Sequence, residues 1–421
     1  MTLAPQVDSE SPPRPPIKTF DSLGNRAFRW YFFSMSGWFA SMNMQMVARG
    51  WLAYELTGSY AALGLVSLAN AIPGMILGLV GGVVADKVMK KQIIQVGQIC
   101  NMVVSFVLAG LMLADMIEFW HLLVGAIAQG SINAMLMPAR QSMIPDFVDD
   151  WHLMNAIALN TAAQNVMRLT APALAGLVIA VAGPGWVYTL IAILYLWGTI
   201  SMTQVPGIRP VARASQTIPG AIREGFNDLA LGFGYMKRER TVLLILTINL
   251  AIVFFSQPYQ MLLPGFASDI LGAGAGRLGL LMSVTGVGAL VGSLVIASLP
   301  GRNRGMIMLI SALIMGIALI GFAISTWYWV TIPIMLAVGF GQAGRQSLGN
   351  VLLQTYTEAS YRGRVTSIYM LEFSVTAFMV FFLGALANAV GIQWALGVSF
   401  TIMVAIVVAT MLFSPRARNL Q

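Results

Sequence analysis

The chain has 421 residues, of which 57% are hydrophobic and 10% are charged, and its formal net charge is +8. Soluble domains carry about a quarter charged residues, so this composition excludes a soluble globular protein and predicts one embedded in a lipid bilayer. The positive charge then reflects orientation in the bilayer and not a nucleic-acid partner. One cysteine excludes an internal disulfide, and neither it nor the two histidines have metal-ligand spacing, so no metal or other cofactor is expected.

Hydropathy along the chain predicts twelve membrane-spanning helices. At a rise of about 1.5 Å per residue, about 20 apolar residues cross a hydrocarbon core of roughly 30 Å. The predicted fold class is therefore an all-α membrane protein. The apolar segments, numbered 1 to 12, are residues 28–54, 61–84, 93–114, 119–138, 153–181, 187–205, 241–263, 278–299, 306–325, 327–349, 365–389 and 394–413.

The spacing of these segments predicts two bundles of six helices. The predicted parts are a disordered proline-rich tail 1–27, an N-terminal bundle 28–205, a cytoplasmic central loop 206–240, a C-terminal bundle 241–413 and a cytoplasmic tail 414–421. The central loop is expected to hold an amphipathic interfacial helix near 218–236. A shift of 208 residues lays Gly183 and Trp186 over Gly391 and Trp394, a weak repeat that supports two equivalent halves.

The distribution of basic residues predicts that both termini are cytoplasmic. Short cytoplasmic loops carry an excess of Lys and Arg. With this orientation, 20 of the 24 Lys and Arg residues fall on inside segments and only Arg277 falls outside. The other three, Arg49, Arg168 and Arg345, lie within segments. The reversed orientation would place nearly every charge on the wrong side.

Polar side chains within the apolar segments indicate which helix faces line a cavity, because such groups are costly in hydrocarbon. They recur at three- and four-residue spacing on segments 1, 4, 7 and 10, the first of each group of three. Hydrogen bonding between helices without a cavity would explain any one of these stripes, but it explains four in register poorly. The candidate cavity residues, including two from segment 5, are Trp38, Gln45, Arg49, Gln129, Asn133, Gln164, Arg168, Asn249, Ser256, Gln260, Gln342 and Arg345.

Glu372, in segment 11, is the only acidic residue deep within a predicted segment. It lies roughly 10 Å from the cytoplasmic start of its segment, a depth comparable to that of Arg345 in segment 10. Intramembrane charges normally pair, so a contact between the two is predicted. Glu372 is accordingly the candidate proton carrier, and the alternative is a static pair that orients segments 10 and 11. The surplus of arginines over Glu372 suits neutral or anionic substrates better than lipophilic cations.

Several stretches resemble the major facilitator superfamily. Residues 82–91 read Gly-Val-Val-Ala-Asp-Lys-Val-Met-Lys-Lys, which is similar to the loop signature between helices 2 and 3 of that superfamily. Six further stretches resemble the branch of the superfamily that contains enterobactin exporters and macrolide-efflux proteins. They are residues 50–59, 138–146, 155–160, 168–176, 278–281 and 362–365. Together these stretches extend over nearly the whole membrane portion.

The resemblance implies the major facilitator fold and proton-driven export of bulky amphiphilic molecules from a bacterial inner membrane. The implied partners are a small-molecule substrate, protons and the lipid bilayer, and a monomer is expected. Asp86 would act as a gate, accepting hydrogen bonds at the start of segment 11, where the helix dipole favours an anion. The candidate gating residues are Gly82, Asp86, Lys87, Lys90, Lys91 and Arg364.

Two other function classes differ from a proton-driven exporter. An importer or facilitator of the same fold, acting on an unknown organic solute, differs from an exporter only in direction and stays an alternative. An enzyme is not expected, because no His, Cys or paired carboxylates converge.

Overall fold

The computed structural model describes residues 18–207, 230–299, 303–358, 360–370 and 372–420, with the backbone alone at 78–87, 150, 367, 370 and 373. This part of the chain is helical and contains no strand. The long helices are α1 Arg26–Thr57, α2 Tyr60–Lys87, α3 Lys90–Leu113, α4 Phe119–Gln141, α5 Asp150–Ala182, α6 Pro184–Thr203, α7a Arg240–Ser256, α7b Pro258–Asp269, α8 Ala275–Ser298, α9 Arg304–Ile324, α10 Tyr328–Tyr356, α11a Arg362–Met370, α11b Glu372–Val390 and α12 Ile392–Phe413.

Within the described residues, nine helical stretches are long and apolar enough to cross a membrane, with α7a and α7b forming one stretch. A shorter apolar helix, Ser374–Val390, lies within α11b. The stretches that do not qualify are α1, α10 and the whole of α11. Polar and charged side chains lower the hydropathy of α1 and α10, as expected for helices that do not face lipid all round, whereas the described apolar part of α11 is too short. The all-helical membrane class is thus confirmed, and the count of twelve stays a prediction.

Helix ends follow local chain chemistry. The Asn25 side chain accepts hydrogen bonds from the backbone N–H groups of Ala27 and Phe28, which caps the start of α1. Gly183, between α5 and α6, has φ +92°, and Gly391, between α11b and α12, has φ +89°. This left-handed region favours glycine. The two glycines overlaid by the sequence repeat therefore make the same kind of turn.

Helix packing follows one pattern in both halves of the chain. In the first half, α2 packs on α4, α3 on α6, α3 on α4, α1 on α6 and α1 on α5. In the second half, the corresponding pairs are α8 with α10, α9 with α12, α9 with α10, α7a with α12 and α7 with α11b. The most extensive contacts between the halves join α5 to α8 and α2 to α11b, which are again equivalent pairs.

Glycines bring the two halves into backbone contact at one end of the molecule. This end carries the 57–60 loop and is called the outer end here, after its predicted location. A Cβ atom on Gly64 of α2 would overlap the backbone of Phe381, and one on Gly384 of α11b would overlap Tyr60. A Cβ atom on Gly176 of α5 would likewise overlap the backbone of α8. The outer end is therefore closed.

The start of the described chain differs from the predicted disordered tail. Asp21–Gly24 form a 3-10 turn, and the Ser22 hydroxyl donates to Asn155 Oδ1 at 2.7 Å. Asn25 Nδ2 donates to the Phe147 carbonyl at 2.7 Å. These hydrogen bonds fix residues 18–25 against the start of α5, a long-range contact that composition does not reveal. Residues 1–17 lie outside the described residues.

The central loop is described only at its ends. Residues 230–238 form a short helix, called the linker helix here, immediately before α7a. The predicted interfacial helix near 218–236 overlaps it, and the remainder of that prediction, 218–229, lies outside the described residues.

Candidate substrate cavity

A small cavity of about 40 Å³ lies between the two halves, near the middle of the helices. Its walls come from α1 and α5 on one side and from α7b, α8 and α10 on the other. The lining residues are Asn43, Met46, Arg168, Pro172, Tyr259, Gln260, Leu263, Met282, Thr285, Gly286 and Met335. Three of these residues, from both sides, are methionines, whose unbranched thioether side chains adapt to irregular ligands. The polar groups are a cation, two amides and two hydroxyls.

Arg168 is the only charged residue among these lining groups. It makes no hydrogen bond or ion pair within the described part of the chain. Pro172, one turn further along α5, has no N–H to donate to the Arg168 carbonyl, which leaves that carbonyl without its usual helical partner. The cavity can therefore attract an anionic group through Arg168 and bind neutral polar groups through amides and hydroxyls.

Close packing of α5 against α8 fixes the position of Arg168. A Cβ atom on Gly279 of α8 would overlap the Pro172 carbonyl, so the two backbones touch. The Ser283 hydroxyl accepts a hydrogen bond of 3.1 Å from the backbone N–H of Ala173. Arg168 lies one turn beyond this contact and points into the space between the halves.

Three of the predicted cavity residues are close together. Gln260 lines the cavity with Arg168, and its Nε2 is 3.5 Å from Gln342 Oε1. Gln342 Nε2 lies 3.4 Å from Gln257 Oε1. These side-chain amides connect α7b to α10 and form a polar surface beside the cavity. Ser256 is buried in α7a and does not line the cavity.

The predicted stripe on α1 faces α6 and not the cavity. The Ser34 hydroxyl donates to the Gly198 carbonyl at 2.9 Å, and the Ser41 hydroxyl lies 3.4 Å from the Ile191 carbonyl. Trp38 and Gln45, on the same face, are buried. Residues of α1 reach the cavity from a different face, through Asn43 and Met46. In the sequence, only the polar Asn43 could have indicated this cavity-facing side of α1, and its position falls outside the three- and four-residue spacing of the predicted stripe.

Two further predicted residues pair within the first half. Arg49 donates a short hydrogen bond to Gln129 Oε1, which joins α1 to α4. Asn133 Oδ1 lies 3.4 Å from Asn101 Nδ2 of α3. The polar stripe on α4 therefore contributes to helix packing. This agrees with the alternative explanation of a single polar stripe, which is hydrogen bonding between helices without a cavity.

Gln164 belongs to an exposed polar face on the first part of α5. Thr161, Gln164 and Asn165 are all exposed on this membrane helix. Exposed amides are costly against lipid tails, so a water-filled passage fits this face better than hydrocarbon.

Arg345 and Glu372 are both buried in the second half. Arg345 Nη1 donates to Asn249 Oδ1 at 3.1 Å, and Arg345 Nε has no partner among the described residues. The ion pairs found among the described residues are Lys90 with Asp146 and His152 with Asp149. The predicted contact of Arg345 with Glu372 is thus not made at ion-pair distance, and Arg345 instead donates to Asn249.

The candidate gating loop is described in part. Lys90 Nζ lies 2.7 Å from both Asp146 Oδ2 and the Ser142 carbonyl, and Lys91 Nζ donates to the Val205 carbonyl at 2.6 Å. Both lysines therefore connect helices of the first half. The side chains of Asp86 and Lys87 are not among the described ones, and Gly82 is described by its backbone within α2. The predicted Asp86 contact therefore stays a prediction. The Arg364 guanidinium lies 5.4 Å from the centre of the Tyr361 ring.

Arg140 is a buried cation at the end of the polar stripe on α4, about two turns beyond Asn133. It is only 4% exposed, and its guanidinium lies 3.5 Å from the centre of the Trp38 ring. This cation–π contact offsets part of the cost of burial. The nitrogens of the guanidinium have no hydrogen-bond partner among the described residues. Tyr31 donates to the Arg140 carbonyl at 3.0 Å and fixes the end of α4.

A polar cluster closes the outer end, and we call it the outer clasp. Its residues are Tyr54, Ser59, Tyr60, Asp269 and Asn388. Asp269 of α7b accepts hydrogen bonds from the hydroxyls of both tyrosines, at 2.9 Å for Tyr60. Asn388 of α11b accepts from the Tyr60 backbone N–H at 3.0 Å and donates to the Ser59 hydroxyl at 2.8 Å. The cluster thus connects the first half to two helices of the second.

Comparison with known proteins gives the family and the fold of this chain. A sequence profile described as "Transmembrane secretion effector", of the major facilitator type, matches residues 17–419. The chain is 24% identical over 353 residues to the staphyloferrin A transporter of Staphylococcus aureus strain NCTC 8325 / PS 47, covering 81% of this chain and 85% of that protein. It is 22% identical to macrolide efflux protein A of Streptococcus pyogenes over 84% of this chain and 87% of that protein.

A third relative is the enterobactin exporter of Shigella boydii serotype 4, which is 24% identical over 72% of both chains. Among solved structures, a peptide transporter of the POT family in complex with sulfate has a TM-score of 0.74 at 13% identity, covering 96% of this chain and 100% of that one. A bacterial homologue of the lysosomal transporter Spinster has a TM-score of 0.67 at 14% identity, covering 94% and 97%. At such identities, the structural matches concern the fold alone.

Proposed function

Because this chain belongs to the transmembrane secretion effector family of the major facilitator superfamily, we propose that it exports bulky amphiphilic molecules by proton-coupled alternating access. Family membership confirms the resemblance drawn from the motifs and makes the chain a multi-pass membrane transporter of a bacterial family, not an enzyme. The named relatives act on siderophores and macrolides. We infer a substrate of similar size here, either neutral or anionic.

The observation that supports this proposal is a small cavity between two similarly packed halves, closed at the outer end, whose Arg168 has no hydrogen-bond or ion-pair partner among the described residues. We infer that α1–α6 and α7–α12 form two six-helix bundles, because their helices pack in the same pairs. On this view, α1, α10 and α11 also cross the membrane, and their polar faces are covered by other helices or by water. Both termini are then cytoplasmic, and the described conformation faces inward.

Substrate charge follows from the cavity lining. Arg168 has no carboxylate beside it among the described lining residues, so a cationic substrate would meet an uncompensated like charge. A carboxylate or other acidic group would instead receive charge-assisted hydrogen bonds. Met46, Met282 and Met335 provide an apolar surface for the rest of an amphiphilic molecule.

Proton coupling is assigned to Glu372. Its neighbours include Arg345, whose guanidinium is held by Asn249 in this conformation. We infer that a second conformation releases Arg345 from Asn249 and brings it to Glu372. The conformation of the two halves then changes how readily Glu372 binds a proton, and proton binding in turn changes which conformation is favoured. The alternative, a structural role in orienting α10 and α11, leaves transport independent of this carboxyl.

The outer clasp is assigned as the outer gate, and its loss gives a specific prediction. Tyr54→Phe together with Tyr60→Phe removes both hydroxyl donors to Asp269 and keeps both rings. Hydrogen bonds to charged groups contribute about 1.5–3 kcal/mol when buried and less at a surface, so we expect outward opening to increase about tenfold. Labelling of Asn43→Cys by an impermeant thiol reagent, added outside to a Cys100→Ser background, measures the opening.

Tyr328→Phe is the matched control for the outer clasp. The Tyr328 hydroxyl also donates at the outer end, to the Arg277 carbonyl at 3.0 Å, but both residues belong to the second half. Its removal should leave the labelling rate unchanged. Equal labelling of the double variant and the parent protein, or equal acceleration by the control, would contradict the assignment.

Accumulation measurements test the proposed function itself. Cells with and without the protein are loaded with a panel of acidic, neutral and cationic amphiphiles, in the presence and absence of a protonophore. We expect lower accumulation of acidic or neutral compounds only when the protein is present and the proton gradient is intact. Higher accumulation would favour the alternative of an importer, and accumulation insensitive to the protonophore would favour a facilitator.

A further inference from the structure

The linker helix, residues 230–238, has one face that is fixed to the second half. Its buried residues are Gly232, Tyr235 and Met236, at helical spacing. A Cβ atom on Gly232 would lie 2.9 Å from Ile368 Cδ1 of α11a, so the two helices are in close contact. The linker helix is therefore docked on α11a.

Tyr235 connects the linker helix to the α10–α11a connection. Its ring stacks on the Tyr361 ring, with centroids 4.2 Å apart and an interplanar angle of 9°. Its hydroxyl accepts a hydrogen bond of 3.1 Å from the backbone N–H of Glu358. A force on the linker helix is thus transmitted to the residues that begin α11a.

The opposite face of the linker helix has no protein covering it among the described residues. Leu231 is 52% exposed and Phe233 is 47% exposed. Lys237 and Arg238 follow on the same exposed side and make no salt bridge within the described chain. Glu239 is the one acidic residue between 230 and 240, and Arg240 is a third cation at the start of α7a. The face therefore combines large apolar side chains with a net positive charge.

We propose that this face binds the anionic headgroups of the surrounding bilayer and that lipid binding stabilises the start of α11a. Amphipathic helices with apolar anchors beside Lys and Arg lie in the membrane interface and are attracted to anionic lipids. The location fits, because the linker helix ends where a membrane-spanning stretch begins at Arg240. Leu231 and Phe233 enter the acyl boundary, while Lys237 and Arg238 contact phosphate groups.

Lipid-dependent stability of the purified full-length protein tests the proposal without a transport assay. The unfolding temperature is measured in detergent with added phosphatidylglycerol or phosphatidylcholine. We expect phosphatidylglycerol to raise it in the parent protein, and Lys237→Gln with Arg238→Gln to remove most of that rise. Each basic side chain near an anionic surface contributes about fivefold to affinity. The single variants serve in place of the double variant if it does not fold.

Arg416→Gln with Arg418→Gln is the matched control, because it removes the same charge from the C-terminal segment, at the same end of the second half but outside the linker helix. The control should keep the rise. Hydrogen exchange of residues 360–370 gives a second measurement, and phosphatidylglycerol should slow it in the parent and control but not in the Lys237/Arg238 variant. Equal responses of both variants, or no response of the parent protein to phosphatidylglycerol, would overturn the proposal.

Discussion

Replacement of Arg168 by glutamine is expected to weaken transport of acidic substrates by about 10- to 100-fold, because charge-assisted hydrogen bonds contribute about 1.5–3 kcal/mol. Arg168 lines the cavity without a partner among the described residues, so its removal leaves no unpaired protein group behind. The loss should therefore reflect the substrate and not the stability of the protein. The apparent affinity for acidic and neutral members of one amphiphile series is the quantity to measure.

Arg277→Gln provides the control for this experiment. Arg277 is an exposed arginine at the outer end, and its guanidinium lies 5.4 Å from the centre of the Tyr328 ring, far from the lining residues. Its replacement removes one positive charge from the whole protein and should leave affinity unchanged. Comparable losses for acidic and neutral compounds in the Arg168 variant would contradict a role for Arg168 in recognising charge.

Replacement of Glu372 by glutamine is expected to uncouple transport from the proton gradient. If one proton is exchanged per substrate, each unit of pH difference supports about a tenfold substrate gradient, since one unit corresponds to about 1.4 kcal/mol. The variant should lose this tenfold factor and still exchange labelled for unlabelled substrate across the membrane. Uptake into proteoliposomes with and without an imposed pH difference measures both activities.

Glu358→Gln is a suitable control for this variant, because it makes the same chemical change in an exposed carboxyl close to the start of α11a. Coupled transport should survive it. Full proton dependence in the Glu372 variant would remove Glu372 from the mechanism. Loss of exchange together with loss of coupling would instead favour the structural role of orienting α10 and α11.

Helix positions were predictable because the bilayer imposes them. A chain in hydrocarbon must satisfy its own backbone groups, so an apolar stretch of sufficient length is a helix. Segment 3, predicted at 93–114, is Lys90–Leu113, and segment 12, predicted at 394–413, is Ile392–Phe413. The repeat of Gly183 and Gly391 was also informative, because it reflects a backbone conformation that few other residues adopt.

Polar residues within the segments predicted the lining of the cavity only in part. Arg168, from segment 5, and Gln260, from the polar stripe of segment 7, line the cavity. Trp38 and Arg49 do not, because Arg140 stacks on one and Gln129 accepts a hydrogen bond from the other. A stripe of polar residues shows that a helix face avoids lipid, but it does not distinguish a cavity from a neighbouring helix.

The outer clasp could not be found from sequence spacing. Tyr60 and Asp269 lie 209 residues apart and are brought together by the packing of α2 and α7b between the halves. Tyrosines near a helix end are also common at membrane interfaces, so the sequence does not distinguish a tyrosine that binds Asp269 from one that only lies at the interface. The contact of Arg140 with Trp38 was hidden for a related reason, because the two residues lie 102 positions apart and only the packing of α1 and α4 brings them together.

Distances between spin labels at both ends of the molecule test alternating access most directly. In a Cys100→Ser background, Leu56→Cys with Val390→Cys reports on the outer end, and Ile157→Cys with Leu294→Cys reports on the opposite end. Across a series of pH values and added substrates, the account predicts that the outer distance lengthens whenever the inner distance shortens. Distances that stay fixed, or that lengthen and shorten together, would contradict it.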